Sequence, residues 1–241
     1  MRVYRSFSWK DTNLRVACAS FELVTRTVVE ARRQLERYIA RHPAFRTAME
    51  PLPLLDDPPE AARRMAAAAE LTGLGPMAAV AGTLAQLGVE AALASGCAEA
   101  IVENGGDIFL VATAPVTIAL HAGATLGNRL AFQIDPHQTP LALCSSSGTM
   151  GHSLSLGRCD LATVASRDAS LADAAATLVG NLVRTEGDLT PALERVGAIP
   201  GIDGILAVVG GRIGLWGQLP PRVRNEDAAT GAKITRDLHA R

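Results

Sequence analysis

The spacing of hydrophobic positions along the chain predicts a mixture of strands and helices. Apolar and polar residues alternate over residues 1–24, which is typical of a hairpin of two half-buried strands. A first helix is predicted from Thr27, because Thr27 and Glu30 form a capping-box pattern and apolar residues follow at helical spacing. A second helix is predicted to begin with Asp57 as its N-cap, followed by Pro58.

The longest apolar run, residues 77–94, predicts a helix that is buried on all sides. It is mostly alanine, and Gly82, Gln86, Gly88 and Glu90 interrupt it. This composition is too weakly hydrophobic for a membrane span, so we expect no membrane contact.

The second half of the chain predicts short strands around one further helix. The predicted strands lie at residues 101–102, 108–111, 116–120, 141–144 and 161–164, and residues 205–216 predict a closing hairpin. The helix is predicted from residue 170 to about residue 184. Because strands and helices do not alternate regularly, the predicted class is α+β. We expect one domain over residues 1–220 and a polar tail over residues 221–241.

Charge and cysteine content narrow the functional classes. The 23 Lys and Arg residues nearly balance the 24 Asp and Glu residues, so the chain offers no general attraction to nucleic acid. The first residues contain no secretory signal, and we expect a cytoplasmic protein. The four cysteines contain no CxxC pair, which excludes a zinc-binding pattern or a disulfide framework. Cys18 and Cys97 are expected to be inert.

A glycine-rich turn precedes the apolar helix. Gly73, Gly75 and Ala78 match the spacing of a dinucleotide-binding fingerprint, but that motif requires a preceding strand, and here a helix precedes it. The segment is therefore either an anion site at a helix N-terminus or an ordinary turn.

A second glycine-rich turn, residues 103–107, lies between two predicted strands. Asn104, Gly105 and Gly106 are common hairpin residues, so a tight turn explains the segment. The turn also carries the carboxylates of Glu103 and Asp107, and two adjacent glycines let a ligand touch the backbone. Both interpretations stay open.

Residues 144–153 combine hydroxyl groups, two glycines and a histidine after an apolar strand. Such a loop forms either an anion-binding nest or a polar surface loop. Cys144 and Cys159 flank it and are candidate reactive thiols.

Asp173 has two interpretations. Ser170 and Asp173 have the spacing of a capping-box variant. Asp173 and Thr177 are also separated by one helical turn, so their oxygens lie on one face. A carboxylate and a hydroxyl in this arrangement suit Mg²⁺, which shares its coordination shell with water and phosphate. Capping alone does not explain Thr177.

Taken in order, these segments resemble the FAD:protein FMN transferase family, also called thiamine biosynthesis lipoproteins. They resemble more closely an uncharacterised prokaryotic protein family of the same superfamily, over about residues 1–220. The shared motifs are residues 32–36, 75–82, 103–108 and 146–153.

The resemblance implies an FMN-transferase-like fold that binds FAD through a divalent metal bridging its diphosphate. It assigns the metal ligands to Asp173 and Thr177, with a backbone carbonyl near Ala78. It also implies a nucleotide pocket, for which the candidate residues are Gly75, Ala78, Asn104, Gly105, Gly106, Ser146, Ser147, Gly148 and Thr149. In the transferase reaction an acceptor threonine attacks while the metal stabilises charge on the diphosphate and AMP leaves.

The chain departs from the transferase pattern at three places. Ala79 and Val80 stand where the transferases carry Lys-Gly, the loop at residues 149–154 lacks their Asp-Pro-Arg-Thr-Gly insertion, and the lipoprotein signal is missing. His152 and Asp107 are then the candidate catalytic groups, with His152 as a replacement acid or base.

Two functional hypotheses follow. The first is a metal-dependent protein that binds FAD or another adenine nucleotide, with Mg²⁺ as the expected metal. The second is a non-catalytic or thiol-dependent accessory protein in sulfide assimilation and homocysteine formation, for which Cys144 and Cys159 matter most. The buried small-residue helix suits a homodimer as well as a monomer core.

Overall fold

A large antiparallel sheet organises the chain in the computed structural model, which describes residues 2–148 and 158–226. The strands are β1 (Arg5–Trp9), β2 (Thr12–Cys18), β3 (Ala100–Asn104), β4 (Asp107–Val111), β5 (Val116–Leu120), β6 (Leu130–Ile134), β7 (Leu141–Ser146), β8 (Leu161–Ser166), β9 (Ile202–Val209), β10 (Arg212–Gly217) and β11 (Arg222–Arg224). Eight of them form the large sheet in the order β1-β2-β3-β4-β7-β8-β9-β10, and β11, β6 and β5 form a small second sheet. Every pair is antiparallel.

Helices cover one face of the large sheet. The helices are α1 (Phe21–Arg41), α2 (Ala44–Thr47), α3 (Glu60–Thr72), α4 (Val80–Ala94), α5 (Gly123–Leu126), α6 (Ala169–Leu182) and α7 (Leu189–Gly197). Helix α4 packs on β3 and β4, α6 packs on β7 and β8, and the two helices contact each other. Gly82 permits this contact, because a Cβ atom at Gly82 would lie 2.3 Å from the carbonyl oxygen of Ala169.

The small sheet covers part of the other face. Ile118, Phe132 and Ile134 from the small sheet join Leu110 and Leu206 of the large sheet in one buried cluster. The central strands are therefore buried on both faces, which explains why β8 and β9 are apolar almost throughout rather than alternating.

The structure confirms the α+β class and corrects several boundaries. Helix α1 begins at Phe21, not Thr27, because Phe21 and Val24 already pack in the core, so the Thr27–Glu30 pattern lies inside the helix. Helix α3 begins at Glu60 with Pro59 as its N-cap. Asp57 has a φ of +53°, outside the extended conformation of an N-cap.

The sequence pattern missed five of these elements, which are α2, α5, β6, α7 and β11. Strand β11 lies at the start of the predicted tail and pairs with β6. The division into a domain and a tail stays a prediction.

By length and composition alone, Pro76–Ala94 is apolar enough to cross a membrane, and 44% of its most hydrophobic window is buried within the protein. Here the segment contacts α1, α6, β3 and β4, as the core helix of a globular fold does. The expected absence of membrane contact stays a prediction.

Candidate functional site

The site begins with the N-terminus of α6. Asp168 caps this helix, since its Oδ1 accepts hydrogen bonds from the amides of Ser170 at 2.8 Å and Leu171 at 3.2 Å. The capping interpretation of Ser170 and Asp173 is therefore wrong. Ser170 lies inside the helix and accepts a hydrogen bond from the hydroxyl of Thr83 at 2.8 Å. Asp173 therefore does not cap α6.

Asp173 lies one turn further into α6 and faces the first turn of α4. Its Oδ2 accepts a hydrogen bond from the amide of Gly82 at 2.9 Å. Asp173 and Thr177 are each 9% exposed, so the pair spaced by one helical turn lies at the border of the core. Burial raises the pKa of Asp173 to about 7, against the opposing effect of the Gly82 and Ala81 amides.

The Gly82 amide bears on the predicted anion site at the start of α4. That amide already donates to the Asp173 carboxylate, so a side chain of the protein itself occupies this donor. Gly75, in the turn before α4, is required by packing, because a Cβ atom there would lie 1.8 Å from the carbonyl oxygen of Ala48. Ala78 follows in the 3₁₀ turn Pro76–Ala79.

Residues 104–107 form the tight turn of the β3–β4 hairpin. Gly105 and Gly106 have φ values of +66° and +104°, which favour glycine, and Asn104 pairs in register with Asp107. Both flanking side chains are buried. The Asn104 amide donates to the carbonyl of Ala81 at 3.1 Å, which ties the turn to α4.

Asp107 is the second buried carboxylate of the site. Its Oδ1 accepts a hydrogen bond from the amide of Ser145 at 3.1 Å. Burial and then the negative charge of Asp173 raise the pKa of Asp107 well above its usual range. The two carboxylates, one from a hairpin turn and one from α6, therefore face the same small region.

The described residues place no basic side chain in an ion pair with Asp107 or Asp173. Nor do residues 2–148 and 158–226 contain a group of three His, Cys, Asp or Glu side chains arranged to hold a metal. Two buried carboxylates without a cation leave one charge poorly compensated.

The candidate thiols are unsuited to nucleophilic chemistry. Burial, and then the charges of Asp107 and Asp173, raise the pKa of Cys144 well above its usual range. Burial raises the pKa of Cys159 to about 11, and its Sγ lies 3.1 Å from the carbonyl oxygen of Leu161. Both side chains are buried and protonated at neutral pH, so the structure does not support the thiol-dependent hypothesis.

The end of β7 supplies hydroxyl groups. Ser146 lies two residues after Cys144 and so projects from the same face of the strand. Its Oγ is buried and has no hydrogen-bond partner within the described part of the chain. The Ser147 hydroxyl donates to the carbonyl of Asp160 at 2.9 Å, and the amide of Gly148 donates to the carbonyl of Cys159 at 2.9 Å. Thr149 and His152 lie outside the described residues.

Residues that the sequence did not single out hold the two helices in register. They are Thr83 and Gln86 of α4, whereas Asp168, which the sequence also did not single out, caps α6. Gln86 Oε1 accepts a hydrogen bond from the amide of Ala169 at 2.7 Å, which links α4 to the start of α6. An isolated Gln in an apolar run was the one sequence signal for this contact.

A protein-family model described as "AbpE bacteria" matches residues 5–200. The chain belongs to this family. The AbpE match spans every described element that carries the site, from α4 to α6. It confirms the expected membership of a family related to the FMN transferases.

Other known proteins are similar to this chain. A UPF0280 protein of Methanocella arvoryzae is 43% identical over 198 residues, which cover 82% of this chain and 81% of the relative. A crystal structure of the Pseudomonas stutzeri flavinyl transferase ApbE in its apo form matches with a TM-score of 0.61 and 13% identity, over 90% of this chain and 94% of that chain. The flavin transferase ApbE of Vibrio cholerae matches with a TM-score of 0.57 and 13% identity, over 94% and 97% of the two chains. The expected FMN-transferase-like fold is confirmed.

Proposed function

We propose that the chain binds the diphosphate of FAD through a divalent cation, with Mg²⁺ as the best chemical match. The observation that carries the proposal is the pair of buried carboxylates, Asp107 and Asp173, which meet without a basic partner in the described residues. A second, weaker support is that two proteins of the same fold are named as flavin or flavinyl transferases.

The donor set fits Mg²⁺. This cation uses one or two carboxylates and completes its coordination with water and substrate phosphates, so it needs no cluster of three acidic or thiol side chains. The Thr177 hydroxyl lies one helical turn from Asp173 and adds a neutral oxygen. Asp173 and Thr177 are the residues that would hold the cation, as the resemblance to the transferases implies.

The surrounding residues orient these oxygens. The amide of Gly82 fixes one oxygen of Asp173, and the amide of Ser145 fixes one oxygen of Asp107. The buried Cys144 thiol donates to the carbonyl of Ala169 at 3.6 Å, and burial together with the nearby charge of Asp107 raises the pKa of that thiol.

A bound cation would neutralise negative charge on the diphosphate. On the protein side, the buried Ser146 hydroxyl provides a donor for a polar ligand atom, and the turn at Gly105 and Gly106 leaves the backbone open to close approach. Ala79 is fully buried, so this chain presents no charged side chain at the position where the transferases carry lysine. The proposal therefore concerns binding first, and flavin transfer second.

The test is a titration of the full chain with FAD, followed by flavin fluorescence, with Mg²⁺ and with a chelator. We expect saturable binding that requires Mg²⁺ and weakens at least about tenfold, or ~1.4 kcal/mol, in Asp173→Asn. Asp203→Asn removes an exposed carboxylate of β9 and serves as the matched control. Absence of binding in both conditions, or binding that ignores both the chelator and Asp173→Asn, would refute the proposal.

A further inference from the structure

A pair of cysteines lies away from the carboxylates. Cys18, the last residue of β2, and Cys97, in the segment between α4 and β3, have their sulfur atoms 3.6 Å apart. The residues are 79 positions apart in sequence. Strand pairing brings them together, because Cys18 is in register with Ala100, three residues after Cys97.

Both thiols are partly exposed and border a cavity of about 300 Å³. The small side chains of Ala17, Ala19 and Ala98 line it, and Arg2 and Glu99 form an ion pair at 2.6 Å on its wall. An external reagent can therefore reach the sulfur atoms, which distinguishes this pair from the buried Cys144 and Cys159.

We propose that Cys18 and Cys97 are a redox-active dithiol that exchanges with low-molecular-weight disulfides at this cavity. The sulfur atoms need to approach from 3.6 Å to the S–S bond length of about 2.05 Å. The two side chains need to rotate toward each other, and both border open space.

The surroundings assign different roles to the two thiols. The Cys97 thiol donates to the Ser20 hydroxyl at 3.2 Å, and its hydrogen bonds with Ser20 and Ser95 hold the pKa of Cys97 below its usual range. Burial raises the pKa of Cys18. Cys97 is the attacking thiol, and Cys18 is the resolving thiol.

The exchange balances in two steps. The Cys97 thiolate attacks one sulfur of the external disulfide, forms a mixed disulfide and expels one external thiolate. Cys18 then loses its proton and attacks Cys97 Sγ, which expels the second external thiolate. Two protein thiols are oxidised, and one external disulfide is reduced to two thiols. A zinc site is not the better interpretation, because residues 2–148 and 158–226 contain no third His, Cys, Asp or Glu ligand grouped with this pair.

The test uses the full chain in graded mixtures of glutathione disulfide and glutathione, with alkylation and peptide mass analysis. We expect Cys18 and Cys97 to be protected together and recovered as one cross-linked peptide. Cys18→Ser should accumulate a mixed disulfide on Cys97, and Cys97→Ser should leave Cys18 reduced. Cys159→Ser, the control, should form the same cross-link as the wild type. A chain that keeps both thiols reduced in excess disulfide would overturn the proposal.

A measurement on the wild-type chain removes the dependence on variants. Under native conditions Cys97 should react with iodoacetamide at least about tenfold faster than Cys159, because a larger fraction of Cys97 is thiolate. Equal rates for the two residues would also overturn the proposal. Neither experiment involves flavin or Mg²⁺, so the outcome is independent of the proposed function.

Discussion

Asp173 accepts a hydrogen bond from the amide of Gly82 at 2.9 Å, and this contact joins α6 to the first turn of α4. The carboxylate lies at the positive end of the α4 dipole. This dipole and the amide of Gly82 both favour negative charge there. Burial and the neighbouring Asp107 oppose that charge. Because these effects oppose each other, the protonation of Asp173 makes the stability of the fold depend on pH and on cation binding.

Without a divalent cation, the free energy of unfolding should fall as the pH rises from about 4 to about 7. Folding raises the pKa of Asp173 from 3.8 to about 7, so the folded state binds more protons than the unfolded state in this range. Protonation of Asp173 stabilises the folded state fully below pH 4, and this stabilisation is lost above pH 7. Urea unfolding at several pH values measures it.

Asp173→Asn should reduce this pH dependence, although the buried Asp107 retains part of it, and should raise stability at pH 8 by ~2 kcal/mol without added cation. The Asn side chain keeps an oxygen for the Gly82 amide and carries no charge. Adding Mg²⁺ at pH 8 should stabilise the wild type and leave Asp173→Asn unchanged. Asp203→Asn, in an exposed position, should keep the wild-type profile. A wild-type curve that falls no more steeply than that of Asp173→Asn between pH 4 and 7 would contradict the linkage.

Gly82→Ala should destabilise the fold by about 2–4 kcal/mol. The new Cβ atom would lie 2.3 Å from the carbonyl oxygen of Ala169 and 2.9 Å from the Cβ atom of Asp173, so α4 and α6 must separate. Gly187→Ala is the matched control, because its nearest atom would be at an ordinary 3.7 Å. Thermal and urea unfolding of both variants measure the difference, and equal stabilities would show that the two helices tolerate separation.

Ser146→Ala and Ser147→Ala should separate binding from stability. The Ser146 hydroxyl is buried without a partner in the described residues, so its removal should leave stability unchanged or slightly higher and weaken FAD binding. The Ser147 hydroxyl donates to the carbonyl of Asp160, so its removal should cost about 1 kcal/mol of stability. Unfolding curves and FAD titrations on both variants test this. A loss of stability in Ser146→Ala would show that its hydroxyl serves the fold.

Thr177→Val should weaken Mg²⁺-dependent FAD binding at least about tenfold with little change in stability. Valine keeps the branched shape of threonine and removes the hydroxyl oxygen expected to help hold the cation. Thr27→Val, in the middle of α1, provides the control. Calorimetric titration with MgCl₂ in the presence of FAD gives the affinities. An unchanged Mg²⁺ affinity in Thr177→Val would remove this hydroxyl from the site.

Local signals predicted several parts of the structure correctly. The turn at Gly105 and Gly106 follows from residues that accept a positive φ, and helix α4 follows from its run of apolar residues. Seven of the 15 residues of α4 are buried, so the expected burial on all sides is wrong. The one-turn spacing of Asp173 and Thr177 is a property of any helix that contains them.

Other local signals competed, and the sequence alone did not rank them. Asp168 and Ser170 are both good N-cap residues. Asp168 caps the helix, because Ser170 is buried against Thr83. Thr27 and Glu30 form a capping pattern inside α1, where packing of Phe21 and Val24 extends the helix toward its N-terminus. Tertiary burial outweighed local preference in both cases.

The sequence by itself determined the α+β composition of the chain, the turn before Asp107 and the helical face shared by Asp173 and Thr177. The tertiary structure alone decided that Asp107 and Asp173 face each other, that Cys144 lies protonated beside them, and that Cys18 meets Cys97. These meetings depend on β4 pairing with β7, β2 pairing with β3, and the close approach of α4 and α6 at Gly82. Periodicity and capping act within a few residues, whereas strand order and helix packing are set by the burial of the whole core.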